Sequence, residues 1–271
     1  SPCQEFRPGR QEMELAELFF TASWIAVQLR IPIVIHEQVP AVLRSGGVWP
    51  RVQQLWQAEQ VAWTVLLPNA SQAGVPQNRT RAFIVAMMRS ESNVRWLEQR
   101  LSELQARVAG WSEAPPREWR SVADAVPGIE GETYYLEQWG KTQPHVLPTS
   151  GIPNTLRCKC NFVPKPGKYK ARERDAGSFE SAQILSTMQR GVIAGLPASF
   201  EWGLDGTKGS VYRAARAQGN AVPAPLLECV VREMHDCGLF EGSPAALDAC
   251  GVPTQKQTSE VREDPAEVHT T

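Results

Sequence analysis

Cys3 stands between Pro2 and Gln4, and a thiol in that setting is a candidate nucleophile. Its reactive form is the thiolate. A free thiol has a pKa of about 8.5, so its site must ionise it or take its proton during attack. Pro2 would stiffen the loop and Gln4 could line a pocket. Glu37, in Glu37-Gln38-Val39, directly follows the apolar run Ile33-Val34-Ile35. In an α/β sheet, ligands bind outside the carboxyl ends of strands. Gln77-Asn78-Arg79-Thr80-Arg81 places two arginines two residues apart. Along an extended segment, residues 77, 79 and 81 share one face, and each guanidinium is forked and permanently charged. A nucleophile, an acid and a fixed cation are the ingredients of covalent catalysis on a polar ring or carbonyl. Each also has a plain alternative. An isolated cysteine is usually an inert buried side chain. A Glu after a strand is usually solvated, and arginines at a strand start can simply bond to carboxylates.

The chain has 271 residues, enough for two modest domains or one large one, and 42% hydrophobic content suits a real core. The longest apolar stretch, Phe19 to Val39, is broken by Ser23, Gln28, Arg30 and Pro32, so it does not read as a membrane span. There is no basic-then-apolar leader pattern. Six scattered cysteines suit a reducing cytoplasm better than a disulfide framework. Net charge is -1, but seven of the residues from Arg157 to Arg174 are Lys or Arg, against the single acid Glu173. Such a run can neutralise phosphates, or it can be a solvated loop. Cys158-Lys159-Cys160 is one Cys-x-Cys pair, and a structural zinc needs four ligands, so no metal site is read there.

Hydrophobic periodicity predicts a helix over 12–29, with Leu15, Leu18, Phe19, Ala22, Ile25, Ala26 and Leu29 on its apolar stripe. Ile33-Val34-Ile35 reads as a buried parallel strand. Val48 to Gln60 reads as a helix, and Val61–Leu67 and Ala82–Met87 as strands flanking a loop rich in Asn, Gly, Pro and Gln. Helix–strand alternation argues for an α/β sheet. A charged helix follows from Asn93 to Val108. A Pro/Gly-rich region comes next, then helices over Gln183–Ile193 and Pro223–Met234, and a polar tail from Thr254.

Taken in order, Pro2-Cys3-Gln4, Glu37-Gln38-Val39, Gln77-Asn78-Arg79-Thr80-Arg81 and Gln218-Gly219-Asn220-Ala221-Val222-Pro223 resemble the motifs of DNA cytosine-5 methyltransferases. Ala73-Gly74-Val75-Pro76 before the third motif and Ala82-Phe83-Ile84-Val85 after it extend the match. Trp119 to Ala125 resembles the opening of the target-recognition lobe, with Asp124 capping or bracing it. The family usually has Glu-Asn-Val where this chain has Glu37-Gln38-Val39. Residues 185–197 resemble a degraded form of the motif that precedes the last one. The resemblance spans roughly residues 1–235.

It implies an α/β fold: a partial Rossmann-like S-adenosylmethionine-dependent methyltransferase sheet with a second, loop-rich target-recognition domain. The implied divisions are 1–89 for the catalytic part, 90–180 for target recognition, 181–237 for the return to the catalytic domain, and a disordered tail over 238–271. The implied reaction begins with the Cys3 thiolate adding to carbon 6 of a flipped-out cytosine, which makes carbon 5 nucleophilic towards the cofactor's methyl group. Glu37 would share a proton with ring nitrogen 3. Arg81 would contact the base near its carbonyl, and Arg79 would support the pocket or a phosphate. Pro2, Asn220, Ala221 and Val222 are the implied cofactor contacts, with a turn at Gly219. Gln4, Gln77, Arg157, Lys159, Lys165, Lys168 and Lys170 are the candidate contacts to double-stranded DNA.

In that family a Phe-x-Gly-x-Gly loop and two strands precede the Pro-Cys-Gln segment and bind the cofactor, whereas this sequence opens at Ser1. The expectation is therefore a C-terminal portion, either a truncated copy or one half of a split enzyme, of prokaryotic or phage origin and part of a restriction-modification system. Alone it should bind S-adenosylmethionine weakly. Two other classes stand beside it: a methyltransferase-derived DNA-binding module without chemistry, and a hydrolase using Ser1, for which no motif speaks.

Overall fold

The computed structural model describes residues 14–44, 47–89, 93–129, 134–137, 145–148, 150–152, 185–203 and 208–240, with backbone alone at 14–16, 134–137, 145–148, 208–212 and 215. Pro2, Cys3, Gln4, Arg157, Lys159, Lys165, Lys168 and Lys170 lie outside the described residues.

Three strands make the central sheet: β1 (Ile33–Gln38), β2 (Val61–Leu66) and β3 (Ala82–Met88), in the order β1-β3-β2. Both outer strands pair antiparallel to β3, with Glu37 opposite Phe83 and Leu66 opposite the same residue. The expected buried parallel strand at 33–35 is thus corrected. β1 hydrogen-bonds to an antiparallel neighbour, and all six of its residues are half-buried. The chain reaches β3 from β2 through the loop 67–81, whose two arms are bridged at Asn69 and Thr80, and β3 runs back against β2. It then inserts between the two outer strands, which run in the same direction. Only β3, paired on both edges, is buried nearly throughout.

Side-chain alternation on β3 feeds two cores. Phe83, Val85 and Met87 face one cluster, where α3 (Val94–Ala109) buries Leu97, Leu101, Leu104 and Val108 and the last helix, α7 (Ala224–Asp236), buries Leu226, Cys229, Val230 and Met234. Ile84 and Ala86 face the other cluster, where α2 (Val48–Ala58) contributes Val48, Trp49, Val52 and Trp56, and α1 (Glu14–Gln28) contributes Phe19 and Val27. The spacing of these residues is helical, with one apolar stripe turned to the sheet. The sheet core therefore runs through α3, past the boundary expected at residue 89. Leu239 is buried in it too, one residue into the expected tail.

The apolar stripe expected for α1 splits. Phe19 and Ala26 are buried, while Leu18, Ile25 and Leu29 are exposed. The stripe is wider than the surface that β1 and α2 offer, so its far side meets no other described element.

Beyond α3, Ser121 caps the short helix α4 (Val122–Ala125) in a reciprocal box. The Ser121 backbone N–H donates to Asp124 Oδ2 at 2.8 Å, and the Asp124 backbone N–H donates to Ser121 Oγ at 3.2 Å. A hairpin of β4 (Tyr134–Glu137) and β5 (His145–Pro148) follows. α5 (Thr187–Ile193) packs with α4 through Val122, Val126, Ile193 and Ala194. Gly195 ends it at φ +88°, and a Cβ there would lie 3.2 Å from the Pro223 side chain that leads α7. α6 (Lys208–Asn220) was not foreseen. Its sequence, with Gly at both ends and little apolar period, gives no clear helical signal. Gly219 and Asn220 form its last turn rather than the expected tight turn, and Gly219 is not among the glycines with positive φ.

Candidate active site

The segment from 77 to 81 is extended, and its burial alternates: Gln77, Arg79 and Arg81 are buried, Asn78 is exposed and Thr80 half-buried. Asn69 builds this segment, a role the sequence reading missed. Its Oδ1 accepts from the Ser71 and Arg79 backbone N–H groups at 3.1 and 3.2 Å. Its Nδ2 donates to Asn78 Oδ1 at 2.7 Å and to Thr80 Oγ1 at 3.2 Å. Asn69 also caps the 3-10 turn Ala70–Ala73 in a capping box with Gln72. An Asn followed three residues later by Gln is the available signal. Two backbone bonds complete the frame: Ala70 N–H to Arg79 O at 3.0 Å, and Arg81 N–H to Pro68 O at 3.1 Å.

Arg81 points at β1. Its Nε lies 2.7 Å from Glu37 Oε1, with side-chain exposures of 8% and 24%, and its Nη1 donates to the Thr80 carbonyl at 2.9 Å. The acid and one of the two arginines predicted from spacing therefore share one site, although they are far apart in sequence. Burial raises the Glu37 pKa, and the positive charges of Arg81 and Arg79 oppose that rise without cancelling it. The carboxyl is held towards its protonated form, as an acid that must share a proton with a weak base requires.

Arg79 goes elsewhere. It is 1% exposed, and its Nη2 donates to the Gly219 carbonyl at 3.0 Å and the Ala221 carbonyl at 2.9 Å. A DNA phosphate cannot reach a guanidinium so enclosed, so of its two expected roles only pocket support fits. Gln77 is fully buried, and neither of its amide atoms has a hydrogen-bond partner. The expected DNA contact at Gln77 does not fit that burial.

Asn220, Ala221 and Val222 are half-exposed, and Val222 packs against the sheet core. An amide beside small apolar side chains, on a backbone fixed by Arg79, fits one wall of a site for a nucleoside-containing cofactor. Gln218 steadies the approach to it, donating from Nε2 to the Thr187 carbonyl at 2.6 Å. Two cavities among the described residues, of about 670 and 490 Å3, lie elsewhere. They share Gly74, Arg120 and Pro225, and neither is lined by Glu37, Arg81 or Asn220–Val222. Cavity size does not mark this site; the placement of charge does. No helix among the described residues is long and apolar enough to cross a membrane.

Helices on both faces of the sheet, with an acid and a guanidinium at its strand ends, make this an α/β protein with a charged site at the sheet's edge. Solved structures share this fold. The Entamoeba histolytica methyltransferase EhMeth superposes with a TM-score of 0.55 at 15% identity, covering 87% of this chain and 75% of that one. The S. pombe Dnmt2 methyltransferase gives 0.52 at 13%, covering 86% and 75%. Among curated proteins, the Type II methyltransferase M.HindV of Haemophilus influenzae is 25% identical over 250 residues, 90% of this chain and 74% of that protein. Residues 1–236 match the C-5 cytosine-specific DNA methylase family, and the chain belongs to that family. The family implies use of S-adenosylmethionine and a DNA substrate.

Proposed function

We propose that this protein methylates carbon 5 of cytosine in double-stranded DNA and that Cys3, Glu37 and Arg81 act on the flipped-out base. The Glu37–Arg81 pair is the observation that carries the reading. A protonated Glu37 donates to ring nitrogen 3 and draws electrons from the ring. Arg81 holds the carbonyl beside it. The Cys3 thiolate then adds to carbon 6, and carbon 5 becomes the nucleophile. S-adenosylmethionine, when bound, supplies the methyl group. Asn220, Ala221 and Val222 hold one side of it, with Pro2 the further contact implied by the family. Loss of the carbon-5 proton to water, departure of the thiolate and return of the ring-nitrogen proton to Glu37 restore the neutral aromatic ring. Arg157, Lys159, Lys165, Lys168 and Lys170 supply phosphate contacts in the target-recognition region, and Gln4 lines the approach to the base.

The structure also favours a reading in which the catalytic sheet is completed by further strands and helices, in the same protein or in a partner subunit. β1 has one paired edge among the described residues, and α1 exposes Leu18, Ile25 and Leu29. Unpaired strand edges and apolar patches of this kind are surfaces for association.

The test is covalent capture. DNA carrying 5-fluorocytosine, offered with S-adenosylmethionine and with the partner subunit where one exists, should yield a protein–DNA adduct that survives denaturation. C3A should abolish it, and E37Q should slow it by about 100-fold or more. DNA binding unchanged by C3A, with no adduct from the native protein, would establish the inactive binding module instead.

A further inference from the structure

Arg79 has a place in the fold that neither a base contact nor a phosphate contact explains. Its backbone is locked on both sides: its N–H donates to Asn69 Oδ1 and its carbonyl accepts from the Ala70 N–H. Its side chain crosses to a segment 140 residues away. There one nitrogen, Nη2, donates to the carbonyls of Gly219 and Ala221, which stand on either side of Asn220. The last carbonyls of a helix have no intrahelical donors, and a cation there is favoured by the helix dipole. α6 ends at Asn220, so a single guanidinium closes the helix and fixes the 219–220 and 221–222 peptide units. Two residues further on, Arg81 holds Glu37.

We infer that Arg79 is a positioning residue which sets the Asn220–Val222 turn against the Glu37–Arg81 pair, so that the cofactor-side wall and the base-side acid are built as one unit. The inference rests on the proposed function for the statement that this turn faces the cofactor. The coupling itself rests on the two carbonyl contacts. Lysine keeps the charge but carries it on a shorter, flexible stem without the planar fork that places Nη2 between the two carbonyls, and methionine keeps neither charge nor donor.

Hydrogen exchange on the full chain tests the coupling without any ligand. In R79M, amides of residues 218–222 should exchange at least about tenfold faster, the size expected for losing one hydrogen bond to a charged group. Peptides covering β3 should be unchanged, and R79K should fall between R79M and the native protein. If R79M fails to fold, R79K carries the comparison. Equal exchange at 218–222 in the native and variant chains, or a uniform rise over the whole sheet, would overturn the inference. The second arm is titration with S-adenosylhomocysteine by calorimetry. Affinity should fall about tenfold or more in R79K while that for DNA stays within twofold; the reverse pattern would assign Arg79 to DNA and overturn the inference. If the native chain, together with any partner subunit, bound no S-adenosylhomocysteine while 218–222 still loosened, the clamp would stand and the cofactor assignment would fall.

Discussion

Glu37 on β1 and Arg81 at the start of β3 meet at 2.7 Å because the antiparallel register places Glu37 opposite Phe83, next to the arginine's strand start. Arg81 Nε approaches Glu37 Oε1 while Arg81 Nη1 is held by the Thr80 carbonyl, so the fork is oriented on two sides. This pair also meets the plain expectation that arginines at a strand start bond to carboxylates. What sets it apart is the buried carboxyl, whose affinity for its proton remains raised despite two nearby cations.

E37Q should therefore lose methyl transfer by about 100-fold or more, the usual range for a general acid. Gln keeps a neutral side-chain carbonyl that can accept from Arg81, as the protonated carboxyl does, so stability should change by no more than about 1 kcal/mol. Urea unfolding and a methyl-transfer assay on the same preparation separate the two effects. Transfer left intact in E37Q would show that Glu37 is not the acid.

The pH dependence of Glu37 has a definite sign. Its folded pKa lies above its unfolded value, so its favourable contribution is full below the ordinary carboxylate pKa and is lost as pH rises through the raised folded value. R81M removes the opposing cation and should move that loss to higher pH. Carboxyl NMR titration of Glu37 in native and R81M protein reads this directly, and a downward shift would contradict it.

His36, the neighbour of Glu37, behaves oppositely. It is packed between Phe19, with ring centroids 4.9 Å apart, and Trp56, at 6.0 Å, and burial lowers its pKa to about 4. Ser23 Oγ donates its only proton to the Phe19 carbonyl at 2.9 Å, so at 3.3 Å it must accept from His36 Nε2–H, which fixes the neutral tautomer. The contribution of His36 to stability is present above about pH 6.5 and fades as pH falls towards about 4. It amounts to at most about 3 kcal/mol. In H36F the slope of unfolding free energy between these limits should flatten; an unchanged slope would rule out His36 as its source.

Asn69→Ala removes the acceptor that serves both Ser71 and Arg79. Loss of an N-cap of this type costs about 1–2 kcal/mol. Because the same side chain also holds Asn78 and Thr80, transfer activity should fall more than stability alone requires. Asn69→Asp keeps the acceptor and should recover most of the stability. Denaturant midpoints and activity, measured for both variants, check the split.

Gly195→Ala should destabilise by about 1–3 kcal/mol. The position lies at φ +88°, and the new Cβ would press on Pro223 at 3.2 Å. Thermal unfolding measures the loss, and crystallography or exchange at 194–196 and 223–225 should locate it at the junction between α5 and α7.

Several elements were legible in the sequence because their signals are local. The short apolar run from 82 to 87 and helical spacing at Leu97, Leu101 and Leu104 need no knowledge of the partner surface. The 77–81 alternation was equally plain. α6 was not legible, since its residues lack an apolar period and its last turn is closed by Arg79 from far along the chain. The reading of 33–35 as a parallel strand failed for a related reason: an apolar run says that a strand is covered, but not which neighbour lies beside it or in which direction that neighbour runs.

The sequence alone thus determined the residue types, their order and the faces they share, and so the family and the chemistry open to it. Only the tertiary structure decided that Arg81 meets Glu37 while Arg79 turns to Gly219 and Ala221. Two arginines on one face of one segment are equivalent by local rules. They differ only in what the folded chain brings opposite each: a buried carboxyl for one, the open carbonyls of a helix end for the other.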